Sequence, residues 1–253
     1  MLGKGGAVHE IVRQHDASPD LPTARVSDLH TPTSVSEAEA SPHAEIWPQS
    51  TNREFHGLLQ AGTFAPVKHP VENVIDAKSV PTWKTDEQGW VVKAKSRPVT
   101  RGFKQREGID CGETFAPTVS SSCVCLLSAI ACECGLDLCH FDVDQTFVQS
   151  HLDEDVFLRL PKEWVNCRKV VRLSKSSYGL KQASRTWHAH LTTYLQRLGF
   201  EQCRTDVCVF GVIEDGRVGI TAVVHVDDTF AADGRKDVTG YALTLTERFP
   251  SRT

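Results

Sequence analysis

Two adjacent aspartates between short apolar runs constrain this chain more than any other feature of its sequence. Asp227 and Asp228 follow Ile220 to Val224, a run rich in β-branched residues that is typical of a buried strand. Thr229 to Ala232 has the pattern of a returning strand, so the sequence predicts a β-hairpin with two carboxylates at its tip. Such carboxylates repel each other unless a cation binds them, and Mg²⁺ is a hard cation that prefers oxygen ligands. For the dipeptide alone, an exposed Asp-Asp turn is the ordinary alternative.

The composition sets the class of protein. A chain of 253 residues has room for one large domain or two small ones, and 40% hydrophobic with 24% charged residues is ordinary for a soluble globular protein. The formal net charge of -4 means that any site for a polyanion must be local. Nine cysteines, no signal-peptide pattern and no apolar run of membrane-spanning length predict a reducing, intracellular setting without a membrane partner.

The beginning of the chain is poor in large apolar residues. Residues 1–40 are rich in Gly, Ser, Thr, Pro and Glu, which predicts a flexible linker ahead of a folded region at residues 41–253. The folded region starts with an apolar helical face that ends at a glycine: Trp47, Phe55, Leu58, Leu59 and Gly62.

Next comes an extended pattern with many cations. The residues from Trp83 to Val99 alternate around a turn at Gln88-Gly89, which indicates paired strands. The cations are Lys93, Lys95, Arg97, Arg101, Lys104 and Arg106. A solvated strand face is the commoner fate of such a run, and a phosphate clamp is the functional alternative.

An apolar segment with four cysteines follows. The run from Val119 to Gly135 predicts a buried helix, with a serine cap at its start and the glycine at its end. Its Cys-x-Cys pairs lack the spacing of zinc fingers, so small core residues are the first interpretation and zinc ligands the second: Cys123, Cys125, Cys132 and Cys134.

A second aspartate motif, LCHFDVDQTF, occupies residues 138 to 147. Asp142 is expected to end a strand, and Asp144 would lie on the same face if the strand continued. Downstream, Ser184 is expected to cap a helix with an apolar stripe of core residues: Trp187, Leu191, Leu195 and Leu198.

Taken together, five segments resemble the reverse transcriptase domain of copia-type retrotransposons, the RNA-dependent DNA polymerase of a Pol polyprotein. They occur in the order and at the spacings of that family: RGFKQREGIDCGETFAP (101–117), FDVDQTFVQSHLDEDVFLRLP (141–161), SSYGLKQASRTWH (176–188), LGFEQCRTDVCVF (198–210) and HVDD (225–228). One such motif would be weak, whereas five in register make chance similarity a poor explanation.

The resemblance implies an α+β fold, with a right-hand polymerase palm of antiparallel sheet backed by helices and with fingers. The similarity stops before the thumb and the RNase H domain. It implies that Asp142, Asp227 and Asp228 are catalytic and, with the carbonyl of Val143, hold two Mg²⁺ ions or Mn²⁺ in their place. The implied partners are an RNA or DNA template-primer, deoxynucleoside triphosphates and other Pol domains such as integrase and RNase H. The implied location is the cytoplasm, a virus-like particle or the nucleus.

Substrate contacts also follow from the resemblance, residue by residue. Arg97 matches an arginine that lies against the triphosphate, and Lys95 is expected to assist it, with Lys93 as a competitor for that role. Phe147 matches an aromatic residue that selects deoxynucleotides, although an ordinary core position is the alternative. The expected contacts with the template are Gln182 at the templating base and Lys181 or Arg185 at its phosphates.

Some positions depart from the family pattern. His225 replaces the usual aromatic residue before Val-Asp-Asp, and Pro98 removes a hydrogen-bond donor from a strand. Three hypotheses therefore stand: an active RNA-directed DNA polymerase domain, a decayed relic that at most binds nucleic acid, and an unrelated module whose aspartates form turns. The motif series makes the third improbable.

Overall fold

In a computed structural model of the chain, the described residues are 21–67, 73–162, 164, 169–214, 216–233, 245, 247–249 and 251–252. They form a mixed α+β fold, as predicted. The elements in chain order are α1 (Val35–Glu39), α2 (Ile46–Gln60), β1 (Phe64–Pro66), β2 (Ile75–Thr85), β3 (Val91–Thr100), α3 (Ser121–Cys134), β4 (Asp137–Val143), β5 (His151–Arg159), β6 (Val170–Lys175), α4 (Ala183–Arg197), β7 (Glu201–Gln202), β8 (Val209–Glu214), β9 (Arg217–His225), β10 (Asp228–Asp233) and β11 (Ser251–Arg252). None of the helices in the described part combines the length and apolar character that a membrane span requires.

The chain divides into two compact units. Unit 1 consists of Met1–Cys111 and Leu152–Lys181, and unit 2 of Gly112–His151 and Gln182–Thr253. The sheet of unit 1 has the strand order β1-β6-β5-β2-β3, and β2 pairs with β5 in parallel. The sheet of unit 2 has the order β11-β4-β10-β9-β8-β7, and all its neighbouring strands are antiparallel.

The predicted hairpin of unit 1 is confirmed as β2 and β3. Gly89 takes φ +83 in its turn, a left-handed conformation that glycine adopts without steric penalty. Pro98 pairs in register with Ser79, and the ladder continues on both sides of it. Since β3 is the outer strand of this sheet, the proline ring lies in the kind of strand that tolerates a missing donor.

The amphipathic helix predicted before Gly62 is confirmed as α2. Trp47, Phe55 and Leu58 are buried, as the spacing predicted. The indole of Trp47 packs against that of Trp83, with ring centroids 4.4 Å apart. This aromatic pair anchors α2 to the hairpin and forms part of the apolar cluster of unit 1.

Residues 21–40 differ from the predicted linker. Ala38 of α1 is fully buried in the apolar cluster of unit 1, and the amide of Val26 donates to the carbonyl of Gly89 at 3.0 Å. Amino-acid composition did not reveal this packing, because backbone hydrogen bonds and one small buried side chain hold the segment, rather than large apolar residues. Residues 1–20 lie outside the described residues, and their flexibility stays a prediction.

Two motifs of unit 1 interlock through a pair of glycines. The amide of Gly102 donates to the carbonyl of Gly179 at 3.1 Å, and the amide of Thr100 donates to the carbonyl of Tyr178 at 2.7 Å. A Cβ atom on Gly102 would lie 2.1 Å from the Gly179 oxygen, and one on Gly179 would lie 2.1 Å from the Thr100 oxygen. Both positions therefore require glycine because backbones approach there.

The neighbouring polar groups of this glycine junction are paired with each other. The Gln105 side chain accepts from the amide of Lys181 at 2.8 Å and donates to the carbonyl of Asp110 at 3.1 Å. The Asp110 carboxylate is 1% exposed and accepts from the amide of Arg106 at 2.7 Å and from the amide side chain of Asn73. The side chains of Gln105 and Asp110 are thus buried and hydrogen-bonded, whereas Gly179 itself is exposed.

In unit 2 the antiparallel sheet lies between two helices. One face packs against α4 through a cluster that includes Phe141, Trp187, Leu191 and Leu195. The predicted stripe of α4 is thus confirmed as core, although the residue before the helix is Gln182 and Ser184 lies inside its first turn. The other face packs against α3.

The prediction that α3 is a buried helix was wrong. Its caps are as predicted: Ser120 accepts from the amide of Ser122 at 3.2 Å, and Gly135 has φ +62. Only one side of the helix contacts the sheet, however, through residues such as Leu127 and Ala131. Uniform hydrophobicity hid this one-sided packing. The expectation of core cysteines is also wrong for this helix: Cys125, Cys132 and Cys134 are exposed and Cys123 is half-buried.

Candidate active site

The aspartates predicted from two distant motifs meet in the sheet of unit 2. The register of β4 and β10 places Asp142 directly opposite Asp228, and that of β9 and β10 places His225 opposite Asp228. Residues opposite each other in antiparallel strands share one face, with Cα atoms about 4.5–5.5 Å apart. Both carboxylates are half-buried, and His225 is exposed. A carboxylate pair therefore lies on one face, at the end of β4 and the start of β10.

Hydrogen bonds to its backbone carbonyls hold the turn between β9 and β10. Its first residue, Val226, has φ +57, which a β-branched residue rarely adopts. The carbonyl of Val226 accepts from the indole nitrogen of Trp187 at 2.6 Å. The carbonyl of Asp227 accepts from the amide of Val143 at 3.0 Å. These two bonds fix the turn, and backbone strain of this kind is concentrated at functional sites.

Sequence reasoning missed one neighbour of the aspartates, His140. Its Nε2 lies 2.7 Å from Oδ1 of Asp228, and its ring stacks on Phe230 with centroids 4.6 Å apart. The signal was present, because a residue two positions before Asp142 on the same strand lies on the same face. The pairing of the strands, which brings His140 to Asp228, was not visible in the sequence.

The expectations for Asp144 and for the carbonyl of Val143 have different outcomes. Asp144 does not continue the face of Asp142, because β4 ends at Val143 and the chain turns at Gln145, which has φ +50. The Val143 carbonyl, expected as a metal ligand, accepts from the hydroxyl of Thr146 at 2.7 Å. A carbonyl oxygen has a second lone pair, so this bond leaves one acceptor position.

The donor chemistry of this face fits a hard divalent cation. Like charges directly opposite each other in a sheet destabilise it, and a cation bound by Asp142 and Asp228 would relieve that repulsion. Carboxylate oxygens are the ligands that Mg²⁺ prefers. Among the described residues, no three His, Cys, Asp or Glu side chains are arranged as a metal-binding group. The backbone positions of the donors are thus set, while their side chains do not converge on one point.

Phe147 lies in a short 3-10 helix, Thr146–Gln149, that follows β4. Its ring is partly buried and packs against the apolar cluster between the sheet and α4. Phe147 follows Asp142 closely in the sequence, and in the structure its ring has a packing role. A contact with a sugar stays a prediction.

The cations predicted to bind a triphosphate share one face of β3. Lys93, Lys95 and Arg97 alternate with buried residues, and Lys84 lies opposite Lys93 in the register. Partial burial lowers the pKa of Lys95; Glu54 opposes this, and the charges of Arg97, Lys84 and Lys93 lower that pKa further. These cations repel one another, and a bound anion would relieve the repulsion.

The three residues expected at the template have different surroundings. Gln182 is 2% exposed and precedes α4. Lys181 is exposed, and its ammonium group donates to the carbonyl of Gln105 at 3.1 Å. Arg185 is exposed and pairs with Glu113 at 2.7 Å. The two cations are accessible to phosphates, whereas the glutamine side chain is enclosed by protein.

Comparison with known proteins gives a consistent result. The model of a family described as reverse transcriptase (RNA-dependent DNA polymerase) matches residues 61–251. The retrovirus-related Pol polyprotein from transposon RE2 of Arabidopsis thaliana is 30% identical over 209 residues, which is 80% of this chain and 14% of that protein. That from transposon RE1 of the same plant is 30% identical over 189 residues, 73% of this chain and 13% of that protein. That from transposon TNT 1-94 of Nicotiana tabacum is 28% identical over 214 residues, 83% of this chain and 16% of that protein. The chain thus spans a small part of the length of these relatives.

Proposed function

Because this chain belongs to the reverse transcriptase (RNA-dependent DNA polymerase) family, we propose that it extends a DNA primer on an RNA or DNA template as the polymerase domain of a copia-type Pol polyprotein. The family is the one that the sequence motifs predicted. The observation that carries the proposed activity is the register that places Asp142 opposite Asp228, beside the turn that contains Asp227. The antiparallel sheet of unit 2, with a helix on each face, supports its assignment as the palm. Unit 1, with its basic hairpin, is assigned as the fingers.

In this proposal Asp142, Asp227 and Asp228 hold two Mg²⁺ ions, with Mn²⁺ as a substitute and the Val143 carbonyl as a further ligand. Once bound, such ions would supply Lewis acidity to the primer 3′-hydroxyl and to the triphosphate. The chain itself supplies fixed negative charge. The strand register positions two of the carboxylates, and the bond from Trp187 to the turn limits its movement. Charge that is positioned before the reaction needs little reorganisation during it.

The remaining residues are assigned to the substrates. We assign Arg97 and Lys95 to the triphosphate of an incoming deoxynucleotide, since a guanidinium binds phosphate oxygens in a bidentate manner. Phe147 is assigned to sugar selection, and Gln182 to support of the templating base. The exposed cations Lys181 and Arg185 are assigned to template phosphates. As in the Pol polyproteins that it resembles, the chain is expected to work beside other Pol domains within the cell.

The test is extension of a DNA primer on an RNA template, with and without Mg²⁺, for the wild-type chain and an Asp227→Asn variant. Asparagine keeps the size of the side chain and removes its charge, so extension should fall about a thousandfold, or roughly 4 kcal/mol. The melting temperature should stay unchanged or rise slightly, because the substitution removes like-charge repulsion.

Asp153→Asn is the matched control, because it makes the same charge change at an exposed position of β5. It should keep full extension. Undiminished extension by Asp227→Asn would overturn the metal assignment. The proposed activity would be rejected if the wild-type chain failed to extend the primer both alone and when joined to the segment that follows this domain in a related polyprotein.

A further inference from the structure

Unit 1 contains a basic cavity of about 340 Å³ that is lined by none of the residues assigned to the substrates, although Arg101 belongs to the cationic run of the sequence. Its charged lining residues are Asp76, Lys78, Arg101, Arg159 and Lys162. Backbone pairing in unit 1 sets the positions of Asp76, Arg159 and Arg101. Asp76 and Arg159 are partners in the parallel pairing of β2 with β5, and the amide of Arg101 donates to the carbonyl of Asp76 at 2.9 Å. Three separate stretches of the chain therefore bring cations to one cavity.

Among the described residues that line this cavity, the carboxylate of Asp76 is already engaged. Asp76 pairs with Lys104 beside the cavity, and Nη1 of Arg159 lies 3.9 Å from its other oxygen. The hydrogen bond from Lys104 lowers the pKa of Asp76, burial opposes this, and the charges of Lys104, Arg159 and Arg101 lower that pKa further. Asp76 is thus ionised at neutral pH and neutralises only part of the surrounding positive charge.

The other cations of the cavity differ from Arg159 in their surroundings. Within the described ranges of the chain, no carboxylate lies within ion-pair distance of Lys78, Arg101 or Lys162. Lys78 and Lys162 are exposed, so both can turn their ammonium groups toward the cavity mouth. An excess of cations around a concave surface attracts an anion with several acceptor oxygens.

We propose that this cavity is a phosphate-binding site, separate from the cations of Lys95 and Arg97. A tetrahedral phosphate fits its chemistry, because two guanidinium groups offer paired donors and the lysines add point charges. The phosphate comes either from the backbone of a single nucleic-acid strand or from a free polyphosphate. The first source rests on the proposed function, since a polymerase must hold its template.

The experiment measures binding rather than catalysis. Fluorescence anisotropy of a labelled oligothymidylate is followed without divalent metal, on the full chain carrying Asp227→Asn. Arg159→Gln and Arg101→Gln should each weaken binding about tenfold at low salt. Each should also reduce the slope of log K against log salt by about 0.7, the value for one phosphate contact on a single strand. Because the background is inactive by design, failure of the polymerase proposal does not affect this readout.

Arg172→Gln is the matched control, because Arg172 is an exposed arginine of the same sheet that pairs with Asp155 at 2.9 Å. It makes the same change in net charge and should alter binding less than twofold. Lys162→Gln is a further variant at an exposed position without an ion pair, and it should weaken binding even if Arg159→Gln failed to fold. Cavity variants that bind both the oligonucleotide and pyrophosphate as tightly as Arg172→Gln would overturn the proposal.

Pyrophosphate distinguishes the two sources of phosphate. Its binding to the same variants is measured directly by isothermal titration calorimetry. If the cavity takes free polyphosphate, Arg159→Gln should weaken pyrophosphate binding about tenfold and leave oligonucleotide binding within twofold of that of the parent chain. If the cavity takes the backbone of a strand, the same variant should weaken oligonucleotide binding as stated above, and the parent chain should bind pyrophosphate less tightly than the oligonucleotide. Equal binding of pyrophosphate by every variant, together with unchanged oligonucleotide binding, would count against the cavity.

Discussion

The glycine junction of unit 1 and the aspartate face of unit 2 both come from motifs that resemble one family, yet their physical states are opposite. At the junction, Gly102 and Gly179 bring backbones together, and the buried Asp110 carboxylate has donors around it. At the aspartate face, Asp142 and Asp228 lie side by side and half-exposed. A motif alone does not separate residues that build the fold from residues proposed to act on substrates. Burial and charge differ between the two regions and can be tested by substitution.

The largest expected change in stability is at the junction. Gly179→Ala should lower the free energy of unfolding by about 3 kcal/mol or more, because its Cβ would lie 2.1 Å from a backbone oxygen in addition to the left-handed φ of +89. Gly89→Ala is the matched control, since φ is +83 there and no atom lies within 4 Å of the added Cβ. It should cost about 1 kcal/mol. If urea denaturation gave equal losses of unfolding free energy for the two variants, the close approach of the backbones would add nothing to the cost at Gly179.

A smaller loss of stability is expected when the buried carboxylate of Asp110, beside the glycine junction, is removed. Asp110→Ala should cost about 2–3 kcal/mol, because it leaves the amide of Arg106 and the side chain of Asn73 without their acceptor. Denaturant unfolding measures this value. A loss below about 0.5 kcal/mol would mean that water replaces the carboxylate and that Asp110 is less buried than its 1% exposure indicates.

Asp206 of unit 2 is a hydrogen-bonded carboxylate whose contribution to the stability of the fold should depend on pH. Burial alone would raise the pKa of its carboxyl, but amide donors of Cys208 at 3.0 Å and Ser120 at 3.1 Å, with the Cys123 thiol, lower that pKa below the ordinary value. A depressed pKa stabilises the fold above the unfolded-state pKa and ceases to do so as the pH falls through the folded-state value. Wild type should therefore exceed Asp206→Asn in stability by about 1 kcal/mol or less at pH 7. The difference should shrink as the pH falls below the ordinary aspartate pKa and through the lower folded-state value, and a constant difference would contradict the assignment.

The smallest effect on stability is expected at the aspartate face. Asp142→Asn should leave the free energy of unfolding within about 0.5 kcal/mol of wild type or raise it, because it removes a repulsive charge and breaks no structural bond described above. The same variant should abolish primer extension. If it destabilised the chain as much as Asp110→Ala, the contrast between the two regions would fail.

Local patterns made part of this fold predictable. The hairpin turn at Gly89, the stripe of α4 and the caps of α3 depend on residues close together in sequence, and each was visible as a period or as a specific turn residue. Long-range pairing was not visible. Nothing in the sequence signalled that β2 pairs in parallel with β5 or that β11 lies beside β4.

The candidate site shows the same division. The motif order identified Asp142, Asp227 and Asp228, because their spacing belongs to a family pattern. The contact of His140 with Asp228 and the bond from Trp187 to Val226 depend on how strands and helix pack. The cavity around Asp76 escaped for the same reason, since its cations come from three separate stretches of the chain.

The discontinuity of unit 1 along the chain has a consequence for gene copies that acquire premature stop codons. A stop between Cys111 and Leu152 deletes β5 and β6, which are interior strands of the unit 1 sheet, and also most strands of unit 2. A stop just after Lys181 leaves every residue of unit 1 in the product. We therefore expect that products ending near codon 181 escape proteolysis far longer than products ending near codon 130, so the lifetime of truncated copies should rise in a step rather than in proportion to length.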